Sequence, residues 1–143
     1  MAALVAAHAR EAFGEVAALH ELVDHFRDHA AQHAVIEYWW STLTEVEQDG
    51  IDRIVLMLEQ LGPALPFPYC SGINGSRHKH MRELRIQIKG NPYRILYAFD
   101  PRRVAVLLIG GTKVGKDRWY KVFVPKADRI YDLYLRAQNK EKL

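Results

Sequence analysis

The chain has 143 residues, of which 49% are hydrophobic and 26% are charged; this balance is typical of one globular domain and excludes a disordered chain. No apolar run reaches the roughly 18 residues that a membrane-spanning helix needs, which excludes a membrane span. The single cysteine, Cys70, excludes an internal disulfide and is compatible with a reducing compartment, so we predict a cytoplasmic protein.

The charge is distributed unevenly along the chain. The formal net charge is +3 and the sequence pI is about 9.0, which is only modestly basic. Acidic residues outnumber basic ones over residues 1–70, whereas most lysines and arginines follow Ser76. This asymmetry predicts a C-terminal surface that meets phosphate groups, although solvated charge on strands and a terminal helix would produce the same pattern.

The first 33 residues are rich in alanine and histidine, with apolar residues at helical spacing, so we predict one or two amphipathic helices. His25, His29 and His33 recur at i, i+4 and i+8, a spacing that could bind a metal ion. Because no acidic or cysteine ligand cluster accompanies them, we expect neither a metal site nor a cofactor.

Two further helices are predicted before the first proline. Val35–Leu43 has helical periodicity, and Thr44–Glu47 resembles a capping box that begins a new helix. That helix ends at Gly62-Pro63, so the pair forms an αα-hairpin. Trp39 and Trp40 could stack on bases, but tryptophans beside a helical core usually pack inside it, and we predict that they do.

The second half of the chain predicts a β-meander and a last helix. Residues 62–80 hold most of the prolines and several glycines, and we interpret them as loop. The next three apolar or alternating segments are predicted strands: Arg82–Lys89, Tyr93–Phe99 and Val104–Ile109. The last of them is apolar throughout, which predicts a central position in the sheet. Gly110–Lys116 is a predicted basic loop, and a helix follows from about Trp119 or Pro125 to Gln138. The fold class is therefore α+β, with N-terminal helices, an antiparallel meander and a C-terminal helix.

Basic side chains follow this predicted meander. Arg85 lies on the polar face of the first strand and Arg94 on the second, so a twisted sheet could bring both to one concave face that neutralises phosphates. An ordinary ion pair of Arg85 with Glu83, facing it across the sheet, is the competing interpretation. The sequence lacks nucleotide-binding glycine loops, nucleophile motifs and metal-ligand motifs, which leaves metal-free RNA cleavage. In that reaction arginine and lysine offset the phosphorane charge, while His78, His80 or Tyr120 could move protons.

Several ordered segments resemble the phage-derived HigB-like branch of the RelE/ParE toxin superfamily, and together they cover about residues 35–138. They include "ELR" at Glu83–Arg85, "YRILYAFDP" at Tyr93–Pro101 and "LLIGG" at Leu107–Gly111. The resemblance implies a RelE-like microbial RNase fold and cleavage of mRNA on the ribosome. It also implies silencing by a helix-turn-helix antitoxin.

Site residues follow from the motifs and from the resemblance together. Arg85 and Arg94 match strand arginines that face the scissile phosphate, and Lys113 and Lys116 match a basic loop after the last strand. The predicted catalytic residues are Arg85, Arg94, Lys113, Tyr120 and His80. The predicted RNA-binding residues are Lys79, Lys89, Lys116, Arg118 and Trp119.

The domain interpretation is a helical extension over residues 1–33 and a toxin domain over residues 34–143. The family's usual first strand is not evident, so the extension could cover the sheet edge that this strand would occupy, or meet a partner. Two other functions remain open. One is a ParE-like inhibitor that binds DNA gyrase without catalysis, and the other is a fold relative that only binds a partner protein.

Overall fold

The computed structural model describes residues 30–113 and 116–141, so the extension predicted over residues 1–33 lies almost entirely outside the described residues. None of the described helices is long and apolar enough to cross a membrane. The elements in chain order are α1 (Ala30–Ser41), α2 (Glu45–Leu61), a 3-10 turn (Gly62–Ala64), β1 (Cys70–Gly72), β2 (Arg82–Ile88), β3 (Asn91–Phe99), β4 (Ala105–Thr112) and α3 (Lys116–Glu141).

The capping box predicted at the start of α2 is confirmed. The Glu47 backbone N–H donates to Thr44 Oγ1 at 3.2 Å, and the Thr44 N–H donates to Glu47 Oε1 at 2.9 Å. The other oxygen of Glu47 accepts a hydrogen bond from the hydroxyl of Tyr93 on β3, and this bond lowers the pKa of Glu47. The cap therefore begins the helix and ties its first turn to the sheet.

Replacing Thr44 by alanine should lower the free energy of unfolding by about 1 kcal/mol, because the N–H of Glu47 loses its acceptor. Thr44→Ser is the matched control, since serine keeps the capping oxygen. Urea denaturation of the three chains measures the difference. Equal midpoints for the alanine and serine variants would show that the cap contributes nothing.

Within the described ranges the sheet has four antiparallel strands in the order β1-β2-β3-β4, one more than the predicted three-strand meander. The additional strand is β1, which pairs with β2 so that Cys70 lies opposite Leu84. It lies in the segment 62–80 that was interpreted as loop. Only three residues long, it shows no alternation that a sequence pattern could detect. Just before it, the Tyr69 carbonyl accepts the Arg85 N–H at 2.8 Å, which fixes this segment along β2.

The prediction that the third apolar segment is central is wrong, because β4 ends the strand order and β2 and β3 are the inner strands. Its residues are apolar because α1 contacts one face of β4 and α3 contacts the other. The strand also extends through Gly110 and Gly111, which were predicted as loop. A Cβ at Gly110 would lie 2.3 Å from the Trp39 ring, and one at Gly111 would lie 3.0 Å from Trp119 Nε1. A side chain at Gly110 would therefore clash with the Trp39 ring, and one at Gly111 would require Trp119 or Phe123 to shift.

Two hydrophobic cores lie on opposite faces of the sheet. The first joins α1 and α2 to one face and contains the buried Trp40, as predicted for the tryptophan pair, with Trp39 packed against it. The second joins α3 to the other face. Because α3 packs on β3 and β4, it leaves the half-exposed Arg85 and the exposed Gln87 of β2 beside it. This partly open region of the sheet holds the candidate site.

Candidate functional site

Two arginines face each other at the centre of this open region. Arg85 on β2 is the register partner of Arg94 on β3. The Arg85 side chain is 31% exposed and that of Arg94 only 7%, so Arg85 reaches solvent and Arg94 is buried. Like charges placed directly opposite each other repel, and this pairing therefore requires a nearby anion.

That anion is Glu83, whose side chain is buried on the same face of β2. Its Oε1 accepts hydrogen bonds from Ser71 Oγ at 2.8 Å and from Arg85 Nη1 at 3.2 Å. Its Oε2 accepts from the Tyr120 hydroxyl at 2.6 Å and lies 3.7 Å from Arg94 Nε. One carboxylate thus joins β1, β2, β3 and α3. The ion pair of Glu83 with Arg85, kept as a competing interpretation, is present, but it runs along one strand and not across two.

A backbone carbonyl orients the Arg94 guanidinium. Its Nη1 donates to the Tyr93 carbonyl at 3.0 Å, while its Nε is buried and has no hydrogen-bond partner among the described residues. A buried N–H that lacks an acceptor costs about 1–3 kcal/mol, so the guanidinium is under-satisfied in the free protein. Its charge is offset by Glu83, whose Oε2 lies 3.7 Å from Nε.

Tyr120 and Lys113 complete the cluster from the region where β4 leads into α3. The Lys113 N–H donates to the Pro92 carbonyl at 2.8 Å, and Lys113 Nζ lies 5.1 Å from the centre of the Tyr120 ring. Burial, and then the hydrogen bond to Glu83, raise the pKa of Tyr120 above its ordinary value. The phenol therefore stays protonated at neutral pH and can serve as a proton donor.

Five side chains form what we call the Glu83 cluster: Glu83, Arg85, Arg94, Lys113 and Tyr120. One formal negative charge and three positive ones leave it with a net charge of about +2, which favours an anionic ligand. Its tyrosine and cationic side chains supply hydrogen-bond donors. The carboxylate of Glu83 already accepts hydrogen bonds from Ser71, Arg85 and Tyr120. Such a set suits a phosphate better than a metal ion. Among the described residues, no group of three or more histidine, cysteine, aspartate or glutamate side chains could hold a metal.

Comparison with known proteins identifies the family. A profile described as "Phage derived protein Gp49-like (DUF891)" matches residues 38–132, which include the whole Glu83 cluster. The chain belongs to this Gp49-like family. The family resemblance expected from the sequence is thereby confirmed, and the α+β fold agrees with it.

Two relatives come from Mycobacterium tuberculosis (strain H37Rv). The chain is 37% identical over 102 residues to "Putative toxin HigB2", covering 70% of this chain and 51% of that protein. It is 36% identical over 105 residues to "Putative toxin HigB3", covering 73% of this chain and 90% of that protein. The match thus spans about half of the first relative and most of the second. No solved structure matches significantly.

The other predicted site residues of this Gp49-like chain, among them the predicted catalytic His80, are not part of the Glu83 cluster. Lys79 and His80 are exposed in the loop before β2, and Lys89 is exposed in the β2–β3 turn, where its φ is 49°. Arg118 is exposed on the first turn of α3. Lys116 is the first residue of α3, and its side chain lies outside the described residues.

Trp119 requires a correction. It was predicted to bind RNA, but its side chain is buried, stacked on Phe123 at a centroid distance of 4.4 Å and packed against Gly111. The indole therefore belongs to the core under α3. Its position after a basic loop resembled a binding surface because the sequence did not reveal that the helix begins at Lys116.

His78 also has a structural contact. Its Nε2 lies 2.8 Å from Asp132 Oδ1 on α3, and its ring meets Tyr131 edge-on. Burial alone would raise the pKa of Asp132, but the hydrogen bond to His78 and the charge of Arg77 outweigh it and lower that pKa. This loop is therefore fastened to α3 by charged contacts, and His78 is occupied away from the Glu83 cluster.

The sequence reasoning missed Glu83 as a site residue. It had placed Glu83 and Arg85 on one polar face of β2, and that alternation was the available signal. The signal was weak because an acid two residues before an arginine usually forms a solvated pair. Only the burial of the carboxylate and its contacts with Ser71 and Tyr120, from segments distant in sequence, distinguish it.

Proposed function

We propose that this chain is the toxin of a type II toxin–antitoxin system and acts as a metal-independent endoribonuclease on mRNA at the ribosome. In this proposal the chain works in the cytoplasm, and a cognate helix-turn-helix antitoxin neutralises it. The observation that carries the proposal is the Glu83 cluster, a net-positive group with a protonated phenol at a partly open face of the sheet. The names of the two relatives, both toxins, support it.

The proposed reaction uses the RNA's own 2′-hydroxyl as nucleophile. The 2′-oxygen bonds to phosphorus and its proton passes to water, while the bond from phosphorus to the 5′-oxygen breaks. Arg85 and Arg94 offset the negative charge that grows on the phosphorane oxygens. The Tyr120 O–H turns from Glu83 Oε2 toward the departing 5′-oxygen and donates its proton there. The nearby Lys113 ammonium stabilises the resulting phenolate until solvent returns the proton.

Glu83 has a positioning role in this scheme. Its carboxylate already accepts hydrogen bonds from Ser71, Arg85 and Tyr120, so both of its oxygens are occupied by donors. It holds the phenol and the two guanidinium groups in fixed relative positions. Fixed alignment can account for several kcal/mol of a reaction barrier, about 7–11 kcal/mol at most.

The cluster favours RNA over the gyrase alternative. A protein that inhibits gyrase by binding needs no phosphate-facing cationic group coupled to a proton donor. Arg85, Arg94 and Tyr120 all contact one carboxylate, which brings two cations and a proton donor together, and acid catalysis on a phosphodiester uses both kinds of group. We therefore keep the nuclease as the proposed activity.

Ribosomes should accelerate cleavage strongly. The cluster contains no strong general base, so the ribosome is expected to orient the 2′-hydroxyl toward phosphorus. Primer extension on one mRNA, translated or naked, measures the cuts made by the purified chain, and a chain with Arg94 replaced by alanine is the background control. Equal cleavage of translated and naked RNA would overturn ribosome dependence, and no cuts in either would overturn the nuclease.

Replacing Tyr120 by phenylalanine should reduce cleavage by about 100-fold or more while RNA binding stays nearly unchanged, because only the transferable proton is lost. The raised pKa of Tyr120 predicts that this group causes no loss of rate below about pH 10. Single-turnover rates across pH measure both effects. Tyr38→Phe, a substitution at an exposed tyrosine of α1, is the control. An unchanged rate for the Tyr120 variant would remove the phenol from the mechanism.

A further inference from the structure

An exposed aromatic ring lies directly beside the Glu83 cluster. Phe67 is 71% exposed, in the segment between the 3-10 turn and β1. The Arg85 guanidinium carbon lies 5.4 Å from the centre of this ring, within cation–π range. One face of Phe67 thus contacts the cationic cluster, while much of the ring remains accessible to solvent.

The segment that carries Phe67 is firmly anchored. Leu65 and Cys70 are both buried, and Cys70 Sγ lies 3.0 Å from the Leu65 carbonyl that accepts its hydrogen bond. The Tyr69 N–H donates to the Pro66 carbonyl at 3.0 Å, and the Tyr69 carbonyl accepts the Arg85 N–H at 2.8 Å. The backbone therefore holds the ring outward at a fixed place next to Arg85, and burying it elsewhere would break these bonds.

We propose that Phe67 is a base-binding residue on which an unpaired nucleobase stacks while the adjoining phosphate meets Arg85 and Arg94. This inference rests on the proposed function, because it assigns a substrate contact to the same site. In single-stranded RNA every phosphate has a base one nucleotide away, so an aromatic ring beside a phosphate site meets a base. Stacking on a ring tolerates any base, since each has a π-face.

A nucleobase fits this place better than a protein side chain does. A protein contact would gain mainly from burying the ring's apolar area, whereas the ring adjoins a cluster with net positive charge. Desolvating Arg85 under an apolar partner would be costly. A base with its own phosphate supplies both the flat surface for Phe67 and the counter-charge for Arg85.

The test measures binding and does not depend on cleavage. The probe is a short single-stranded oligonucleotide without 2′-hydroxyls, which cannot be cut by this route, and its partner probe has the same backbone with abasic positions. The full chain should bind the base-bearing probe about 10-fold more tightly than the abasic one, as measured by fluorescence anisotropy. Phe67→Leu should remove that difference, and Phe67→Trp should keep it.

Two comparisons separate the possible causes. If the native chain and the Phe67→Leu chain bind the abasic probe equally, Arg85 still holds phosphate in the variant. The matched Tyr38→Leu variant should keep the native preference for the base-bearing probe. A Phe67→Leu chain that still prefers bases overturns the proposal, as does a native chain that does not prefer them. The proposal would also be overturned if the Phe67→Leu chain keeps its preference for bases while the antitoxin no longer rescues cells that express it. That result would make Phe67 a contact for the antitoxin protein. Base preference without any RNA cleavage would uphold Phe67 and reject the nuclease.

Discussion

An Arg94→Ala chain is expected to lose RNA cleavage by about 100- to 1000-fold and to stop arresting growth when induced, because the fixed cation next to the scissile phosphate is gone. Arg94 is the strongest candidate for this effect since its guanidinium is buried, orientated by the Tyr93 carbonyl and 3.7 Å from Glu83. A cation held in a water-poor place stabilises developing charge more than an exposed one does.

Loss of activity must be separated from loss of fold. Arg94→Lys keeps the charge without the planar fork and should retain part of the rate. Arg53→Ala is the matched control, because Arg53 is exposed on α2 in the layer at the opposite face of the sheet. Circular dichroism and the melting temperature report the fold, and cleavage is followed by primer extension. A folded Arg94→Ala chain that remains toxic would refute the role given to this arginine.

Glu83→Gln is expected to have the largest effect on stability, lowering the free energy of unfolding by about 3–5 kcal/mol. The amide keeps the shape of the carboxylate but leaves the buried Arg94 without a counter-charge. Its NH2 group also faces donors where an acceptor is needed. The variant should cleave slowly while binding RNA at least as tightly as the native chain, because the cluster loses its only negative charge.

A double-mutant cycle provides the test for this coupling. If Glu83 acts through the arginine, the chain with both Glu83→Gln and Arg94→Met should be less destabilised than the sum of the single changes. Urea denaturation measures all four chains, with Glu37→Gln as a charge-matched control on α1. Strictly additive effects would mean that the carboxylate and the guanidinium do not stabilise each other.

The sequence patterns predicted the elements whose signal is local. The box at Thr44 and Glu47 and the alternation over Arg82–Lys89 are properties of adjacent residues. The box is confirmed, and so is the strand, which ends one residue earlier at Ile88. Alternation also put Arg85 and Arg94 on definable faces. Whether Arg85 and Arg94 lie on the same face of the sheet depends on the register between β2 and β3. A short turn such as Lys89-Gly90 constrains that register only when the geometry of the turn is known.

The features that were missed depend on distant contacts. Strand β1 exists because Cys70–Gly72 pairs with β2, and three residues carry no period of their own. Trp119 is buried because α3 begins earlier than its apolar residues suggested. Glu83 looked like a surface acid until Ser71 and Tyr120 were brought to it by the fold. Long-range packing overrides local pattern in each case.

The Glu83 cluster also sets a condition on when this chain can act. The residues bonded to the carboxylate are separated from it by 12 positions at Ser71 and by 37 at Tyr120, and they come from three different elements. Contacts between residues that are distant in sequence form only after the intervening chain has closed into a loop. Under the proposed mechanism, a growing chain that has not yet released the start of α3 from the ribosome would lack its proton donor. Synthesis of the protein and onset of the proposed chemistry would then be separated in time by the folding step itself.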